Sequence, residues 1–249
     1  MYLNKNKTIC LYKKKKLNIP EQLKNWPDNQ PVKNSSDLTL ASSWMWDIGG
    51  IGPSKSVDLH KQGLTPKNIM TKKYFSKLPR MTQLYLIHKP KKQIHRSKVP
   101  SMVNKFLPAK IKKLIVGSYR RGKTYVGDID VLILNPPAIK NHIAILGQMK
   151  LWIPISTGEL KISGIFLPTK SKFDLWMVHK PNQLPFMKLY ATGSYMSNII
   201  MRMHAKRLGM KLTQYNLSSI KTGKPHGGLK TELDIYNKIR MKYKSPHER

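Results

Sequence analysis

The chain has 249 residues, of which 46 are Lys or Arg and 12 are Asp or Glu, so its formal net charge at pH 7 is +34. A field this positive attracts polyanions, first nucleic acid and second acidic membrane, although an AT-biased genome that favours Lys codons is an alternative source of part of the excess. The only cysteine, Cys10, excludes a disulfide framework and a cysteine-based zinc site. No apolar run approaches the roughly 20 residues of a membrane-spanning helix, and Met1–Lys16 has lysines but no sustained hydrophobic region, so we do not expect it to be a secretory signal. We therefore expect an intracellular protein that is not secreted and has no membrane partner.

The first 79 residues divide at a change of composition. Residues 1–36 are polar and rich in Lys, Asn and Pro, which is typical of a basic N-terminal tail. Residues 37–79 contain a Gly-Gly-Ile-Gly turn between two helical stretches, with Pro53 suited to the first turn of the second stretch and Gly63 to its end. Small residues in such a turn let backbone amides approach a DNA phosphate without sequence preference. We therefore expect a DNA-binding subdomain here, with contacts at Gly50, Gly52 and Lys55.

The middle of the chain, residues 80–180, contains the predicted strands. A third helical stretch, KNIMTKKYFSKLPR (67–80), precedes it, and residues 81–115 are basic and helical or loop-like. Alternating or continuous apolar residues then predict three strands, which are DIDVLIL (128–134), KISGIFLP (161–168) and KFDLWMV (172–178).

The last part of the chain, residues 181–249, is predicted to be mainly helical. Ser194 suits the N-cap of a helix that ends at Gly209. In that helix an apolar stripe at helical spacing predicts the buried face, formed by Met196, Ile199, Ile200 and Met203. The segment 231–249 begins with a capping-type sequence and predicts a last amphipathic helix. Strands followed by separate helices indicate an α+β fold.

Asp128 and Asp130 stand two residues apart in an apolar strand of a chain with few acids. Side chains at this spacing share one face of a strand, about 6.5–7 Å apart, and two like charges repel unless a cation lies between them. Oxygen ligands of this kind suit Mg²⁺. Asp174 is the candidate third acid for a pair of ions in phosphoryl transfer, because a lone Asp in an apolar strand is costly to bury. The alternative is that Asp128 and Asp130 pair with lysines and that Asp174 caps a loop.

A phosphate-binding pattern precedes these acids in GSYRRGKTYVGDIDVLI (117–133). A Gly-Ser turn, here Gly117 and Ser118, exposes backbone N–H groups and a hydroxyl to a phosphate. The guanidinium of Arg121 can hold anionic oxygens at two points. Gly-Ser alone is a weak signal, but this order of residues before a strand is a specific one.

The same stretch resembles the signature of the family X DNA polymerases, the DNA polymerase beta-like group of the nucleotidyltransferase superfamily. The resemblance covers roughly residues 37–249, in the same order and with nearly the same spacing. It is carried further by GGIGPSKSVDLHKQGLT, KYFSKLPR, YATGSYMSNIIMRMHAKRLGMKLTQYNL and DIYNKIRMKYKSPHER. It implies a helix-hairpin-helix subdomain at 37–79, a nucleotidyltransferase palm with a mixed β-sheet at 80–180, and a C-terminal α/β nucleotide-selection subdomain at 181–249.

The resemblance also assigns roles to individual residues. Asp128 and Asp130 would bind two Mg²⁺ ions (or Mn²⁺), and Asp174 would bind the catalytic ion and help to deprotonate the primer 3′-hydroxyl. The incoming nucleotide would be held by Gly117, Ser118, Arg121, Gly127, Tyr190, Gly193, Asn198 and Arg202. A monovalent cation, Na⁺ or K⁺, would be held at the hairpin by the backbone carbonyls of Trp46, Ile48 and Ile51.

The sequence departs from the family pattern at several positions. No counterpart of the N-terminal lyase domain precedes the hairpin, so we do not expect lyase activity. Ala191 stands where the family has the second aromatic residue of the pair that guards against ribonucleotides, and Tyr195 replaces an acid beside the incoming base. Lys77 replaces an arginine near the triphosphate, and Lys172 replaces an arginine beside the third aspartate. Gln214 replaces a glutamate that stabilises the closed state in the family.

Three functions remain open at this point. The first is a monomeric, template-directed DNA polymerase that fills short gaps in base-excision repair or replication. It would use gapped or primer–template DNA and deoxynucleoside triphosphates, in a nucleus or, if viral, in the virion and host cytoplasm. The second is template-independent or ribonucleotide addition, and the third is a non-catalytic basic DNA-binding protein. We favour the first because all three acids are present.

Overall fold

The structure, a computed structural model, describes residues 2–3, 30–31, 42, 45, 48, 50–91 and 93–249. The chain divides into two compact units, Met1–Lys89 and Pro90–Arg249. Most of the predicted tail lies outside the described residues, and its described part is an antiparallel pair of β1 (Tyr2–Leu3) and β2 (Gln30–Pro31). None of the described helices is long and apolar enough to cross a membrane.

The described part of the first unit contains the helices α1 (Pro53–Lys61), α2 (Lys72–Phe75) and α3 (Arg80–His88). Its core is formed by Met45, Ile51, Leu59, Leu64, Ile69, Tyr74 and Leu78. Pro53 lies in the first turn of α1, as predicted, and Gly63 follows its end with a φ of 88°, which glycine adopts without strain. The first helical stretch of the predicted hairpin falls mostly outside the described residues.

The prediction that the stretch 67–80 is helical until Pro79 is largely wrong, because α2 is the only α-helical part of that stretch before Pro79. The Oδ1 atom of Asn68 accepts a hydrogen bond from the Thr65 amide at 2.8 Å, and the Thr71 hydroxyl donates to the Asn68 carbonyl at 2.7 Å. Local bonds between side chain and backbone compete with the helical ladder. The chain therefore makes turns where the apolar spacing predicts a helix.

A five-stranded mixed sheet forms the centre of the second unit. The strands of this unit are β3 (Ile94–His95), β4 (Lys113–Ile115), β5 (Tyr125–Val126), β6 (Ile129–Ile133), β7 (Trp152–Thr157), β8 (Lys161–Phe166) and β9 (Ser171–Met177). The sheet order is β4-β6-β9-β8-β7, in which β6 and β9 are parallel and the other neighbours antiparallel. The short strands β3 and β5 pair with each other.

The three predicted strands are confirmed as β6, β8 and β9, but β4 and β7 were not predicted. The strand β7 contains Pro154 and lies at the edge of the sheet, where the missing backbone N–H of a proline is tolerated. The helices α4 (Val99–Phe106), α5 (Gly117–Arg120) and α6 (Pro136–Gln148) belong to the same unit. Phe106 packs against the rings of Phe173 and Trp152, with centroids 4.3 and 5.0 Å away, so the core fixes the strands that carry the acids.

The rest of the second unit consists of α7 (Leu184–Thr192), α8 (Tyr195–Arg207), β10 (Met210–Leu212), β11 (Leu217–Ser219) and α9 (Glu232–Lys238). The Ser194 hydroxyl accepts from the Ser197 amide and caps α8, as predicted. Thr231 and Asp234 form the capping box of α9. That helix ends at Lys238 instead of continuing to 249, and the chain turns at Arg240 with a φ of 54°.

The predicted buried face of α8 is wrong at three of its four positions. Met196, Ile200 and Met203 are 57%, 52% and 53% exposed and Ile199 is half-buried, whereas Met201 and Ala205 are in the core. The core beside this helix already contains bulky side chains from α7 and α9, including Phe186 and Tyr236. The side chains on the inner face of α8 therefore have little apolar volume to fill. The spacing of apolar residues along α8 cannot show this.

Candidate active site

The parallel pairing of β6 and β9 brings two of the predicted acids together. It places Asp130 directly opposite Asp174, and opposite residues of paired strands point to the same face of a sheet. Asp128 lies in the bend immediately before β6, one residue outside the predicted strand position. The buried neighbours Ile129 and Phe173 fix this register, because a shift by one residue would expose them.

A single ammonium group joins two of the three carboxylates. Nζ of Lys172 lies 2.9 Å from Oδ2 of Asp128 and 3.0 Å from Oδ2 of Asp174. Nζ of Lys161 lies 2.8 Å from that same Oδ2 of Asp174. Asp174 is 5% exposed, and its Oδ1 atom is buried with no hydrogen-bond partner among the described residues. The lysine pairing that the sequence left open is therefore present, but Asp174 lies within β9 and does not cap a loop.

The charges of this cluster are unevenly balanced. Burial would raise the pKa of Asp174, but the ammonium groups of Lys172 and Lys161 hold it below its usual range. Burial would lower the pKa of Lys172, but the carboxylates of Asp174 and Asp128 raise it. Burial, followed by repulsion from Asp128 and Asp174, raises the pKa of Asp130 to about 7. One carboxyl group thus lacks sufficient positive charge around it.

The carboxyl group of Asp130 is held from two sides. Nε1 of Trp176 donates to its Oδ1 atom at 3.4 Å, and the ammonium of Lys161 lies 4.3 Å from the centroid of the Trp176 ring. A Cβ atom at Gly117 would lie 2.0 Å from Oδ2 of Asp130, and Gly117 has a φ of 60°. Only glycine therefore lets the motif turn approach this carboxyl so closely.

The predicted phosphate-binding residues lie on the turn that follows β4. Ser118 is part of α5, and Arg121 follows its end. The Nη1 atom of Arg121 donates to the backbone carbonyl of Thr192, and its Nε atom is buried without a partner among the described residues. A Cβ at Gly193 would lie 3.0 Å from the same Nη1 atom. The motif is thereby joined to the end of α7, while Gly127 is exposed in the bend before Asp128.

A network that sequence reasoning missed lies behind this turn. The guanidinium of Arg120 donates to both carboxylate oxygens of Glu232, at 2.8 and 2.7 Å, and to the Thr192 hydroxyl at 2.6 Å. Arg249, whose side chain is fully buried, donates to Glu232 at 3.2 Å. Burial would raise the pKa of Glu232, but hydrogen bonds from Arg120 and Arg249 lower it. The network ties α5 to α7 and α9.

The predicted base-side residues line one cavity of about 300 Å³. The ring of Tyr190 packs edge-to-face against the ring of Trp176, with the two centroids 5.4 Å apart. The guanidinium of Arg202 lies 5.1 Å from the centroid of the Tyr190 ring. The side-chain amide of Asn198 donates through Nδ2 to the backbone carbonyl of Tyr190 at 2.9 Å. Gly193, Ala191 and Tyr195 complete the wall, and Tyr195 is 78% exposed. The structure therefore groups Tyr190, Gly193, Asn198 and Arg202 as expected and adds Trp176.

The predicted hairpin residues belong to the first unit. Ile51 is buried in its core and Ile48 packs against that core, whereas Gly52 and Lys55 are exposed. A Cβ at Gly50 would lie 2.9 Å from the Thr82 hydroxyl, and Gly50 has a φ of 80°, so the turn requires glycine there. Trp46 lies outside the described residues, and the cation and DNA contacts of the hairpin remain predictions.

The acid cluster fits a hard divalent cation by its chemistry. Its donors are carboxylate oxygens, one of them buried without a partner, and two ammonium groups occupy the position where positive charge is needed. Among the described residues, no group of three or more His, Cys, Asp or Glu is closely enough arranged to hold a metal ion. The carboxylates would therefore have to exchange their lysine partners for an ion.

Two domain families match the chain. The family model for the DNA polymerase beta palm matches residues 88–151, and that for the DNA polymerase beta thumb matches residues 187–249. The DNA polymerase/3′-5′ exonuclease PolX of Bacillus subtilis (strain 168) is 30% identical over 110 residues, which are 43% of this chain and 19% of the relative. The match therefore spans about a fifth of that relative's length.

Proposed function

The chain belongs to the family X DNA polymerases, and from this membership we propose that it adds deoxynucleotides to a primer 3′-hydroxyl at short gaps, as directed by a template strand. The observation that carries the proposal is the pairing of Asp130 with Asp174 across β6 and β9, with Asp128 on the same ammonium group as Asp174. The proposal includes a role in base-excision repair or in replication. It also includes action on gapped or primer–template DNA.

Asp128 and Asp130 would hold two Mg²⁺ ions, and Asp174 would hold one of them. Such ions neutralise the developing negative charge on the transferring phosphoryl group. Lys172 would have to leave the Oδ2 atoms of Asp128 and Asp174 if an ion is to bind those oxygens, because its ammonium group now occupies them. Asp174, once released, would help to deprotonate the primer hydroxyl, and the absence of a described partner for its Oδ1 atom supports this role.

Ser118 and Arg121 would bind the β- and γ-phosphates of the incoming nucleotide, and Gly127 would permit close backbone approach. Support comes from the guanidinium of Arg121, which has one unpartnered nitrogen and one bonded to a carbonyl. A phosphate oxygen is a stronger acceptor for a guanidinium than a carbonyl. Arg121 would therefore exchange Thr192 for the triphosphate when the nucleotide binds.

The cavity beside Tyr190 would hold the base and sugar, with Asn198 and Arg202 contacting the nascent base pair. Ala191 and the exposed ring of Tyr195 favour a second candidate function, which is addition of ribonucleotides or addition without a template. A small side chain leaves room for a 2′-hydroxyl, and an exposed ring can stack on a base that has no partner.

Primer extension on a one-nucleotide gap, with Mg²⁺ and either deoxy- or ribonucleotides, tests the proposal. We expect addition of the complementary deoxynucleotide on the gapped duplex and little extension of a lone single strand. Asp174→Asn should lose nearly all addition while binding the gapped duplex normally, and Glu159→Gln, at an exposed acid without a described side-chain partner, is the matched control. Equal extension of the single strand would establish the second function instead, and absence of any addition by the unmodified chain would leave only DNA binding.

A further inference from the structure

A second cavity of the unit Pro90–Arg249 shares no lining residue with the cavity around Tyr190. Its volume is about 730 Å³, and it lies where α8 and α9 end beside the β10–β11 hairpin. The polar residues that line it are Arg207, Ser219, His226, Asn237, Lys238 and Arg240. A cleft of this size falls in the range of ligand-binding sites.

The charge of this cavity is unbalanced. Arg207 comes from the end of α8, Lys238 from the end of α9, and Arg240 from the turn that follows. Within the described part of the chain, none of these three side chains has a hydrogen bond or ion pair, and no acid lines the cavity. Like charges gathered on a concave surface repel one another and focus their field on an incoming anion.

An imidazole adds an unsatisfied polar atom to these charges. Nε2 of His226 is buried and has no hydrogen-bond partner among the described residues. The backbone at this position is fixed, because the backbone amide of His226 donates to the Leu217 carbonyl at 2.8 Å. A buried polar atom without a partner costs free energy, and a phosphate oxygen would accept a hydrogen bond from this nitrogen as well as from Arg and Lys.

An alternative explanation for basic residues around this cavity is their interaction with the helix dipole. Cations in the last turn of a helix interact favourably with its C-terminal carbonyls, which would account for Arg207 and Lys238. It does not account for Arg240, which lies beyond α9, or for the buried ring nitrogen of His226. The two explanations differ in what they predict for ligand binding and for stability.

We propose that this cavity binds successive phosphates of a DNA strand, at a position separate from the nucleotide cavity. Three cations suit two or three phosphates, and the described lining contains no Phe, Tyr or Trp on which a free nucleotide's base could stack. The choice of DNA as the source of the phosphates rests on the proposed function. The contact adds affinity without sequence preference, since it reaches only the backbone.

The test compares two triple variants that remove the same charge. The cavity variant is Arg207→Gln, Lys238→Gln and Arg240→Gln. The control variant replaces exposed lysines by glutamine, one in the last turn of α4, one just beyond α6 with a φ of 56°, and one in the last turn of α8, which are Lys105, Lys150 and Lys206. Binding of a 20-base-pair duplex is measured by fluorescence anisotropy in EDTA, at several salt concentrations.

For the cavity variant we expect the slope of log affinity against log salt to fall by about 2, since each phosphate contact contributes about 0.9. Its affinity near 100 mM salt should fall at least about tenfold further than that of the control variant. Equal losses in the two variants would overturn the proposal. A lower melting temperature with an unchanged slope would assign the residues to the helix dipole and would overturn it as well.

A second readout separates DNA from free nucleotide. The ring signals of His226, assigned by the variant His226→Gln, should shift in NMR spectra on addition of the duplex and stay in place on addition of dATP. A shift with dATP alone would contradict the choice of DNA. These measurements require no catalysis. Failure of gap filling would therefore refute the proposed function without refuting the phosphate site, and failure of the binding tests would refute the phosphate site without refuting gap filling.

Discussion

Asp130 stands out at the scale of single residues, because its pKa of about 7 lies far above the 3.8 of an unperturbed aspartate. Between these values the folded chain binds a proton that the unfolded chain has released. The contribution of Asp130 to the free energy of unfolding therefore falls as pH rises from about 4 to 7, and levels off above. An ion bound at this site would reverse the loss, because it would supply the missing positive charge.

Asp130→Asn should remove this pH dependence. In EDTA we expect the free energy of unfolding of the variant, relative to the unmodified chain, to be about 1–3 kcal/mol higher at pH 8 than at pH 5. Urea unfolding at the two pH values measures the difference. Adding Mg²⁺ at pH 8 should stabilise the unmodified chain more than the variant. Identical pH profiles of the free energy of unfolding for the two chains in EDTA would show that the pKa of Asp130 is not raised.

The sequence was sufficient to single out the acids that lie together on β6 and β9 and most residues that line the cavity around Tyr190. It did not identify Lys161 or Trp176, because their position beside the acids depends on the register of β8 and β9, which pairs the two residues directly. Glu232 was missed for a similar reason. Its partner Arg120 is 112 residues away in the chain, and no local pattern signals such a contact.

Glu232→Gln tests the network that this contact forms. The change leaves Arg120 and the buried Arg249 without their counter-charge, and breaking a buried ion pair on one side costs about 3–5 kcal/mol. We expect a loss of that order in urea unfolding, against a change within about 0.5 kcal/mol for the exposed Glu159→Gln. A loss as small as that of Glu159→Gln would mean that the network does not join the three helices energetically.

At the scale of elements, α8 shows where periodicity misleads. Its start at Ser194 followed from local chemistry, since a hydroxyl caps the first amides of a helix wherever it lies. Its buried face did not, because the volume left by α7 and α9 determines which side chains fit. Three strands of the sheet were likewise predictable from their apolar residues, and its mixed character followed from the family resemblance, whereas the edge strands β4 and β7 depend on neighbours for pairing.

Replacing the exposed stripe of α8 should therefore cost little. Met196→Gln, Ile200→Gln and Met203→Gln together should change the free energy of unfolding by less than about 1 kcal/mol, as exposed positions usually do. The single change Met201→Ala, at a residue 2% exposed, should cost about 2–5 kcal/mol. Urea unfolding of both variants checks the assignment, and the opposite order would restore the face predicted from the sequence.

At the scale of the whole molecule, the formal charge of +34 should govern how the chain binds the DNA that we propose as its substrate. Many phosphate contacts release many counterions, so binding depends steeply on salt. Between about 50 and 200 mM salt we expect affinity for duplex DNA to fall by about 10³-fold or more. Anisotropy titrations measure this, and a flat response would mean that the basic surface serves another partner.

Three carboxyl groups, two of them now paired with lysines, are proposed to share divalent ions during nucleotide addition. Counting bound Mn²⁺ by electron paramagnetic resonance, with gapped DNA and a non-hydrolysable nucleotide present, tests this proposal most directly. We expect two ions per chain, and one after Asp174→Asn, because Asp174 would hold only one of the pair. Two ions bound with unchanged affinity by the Asp174→Asn variant, or none by the unmodified chain, would contradict the account.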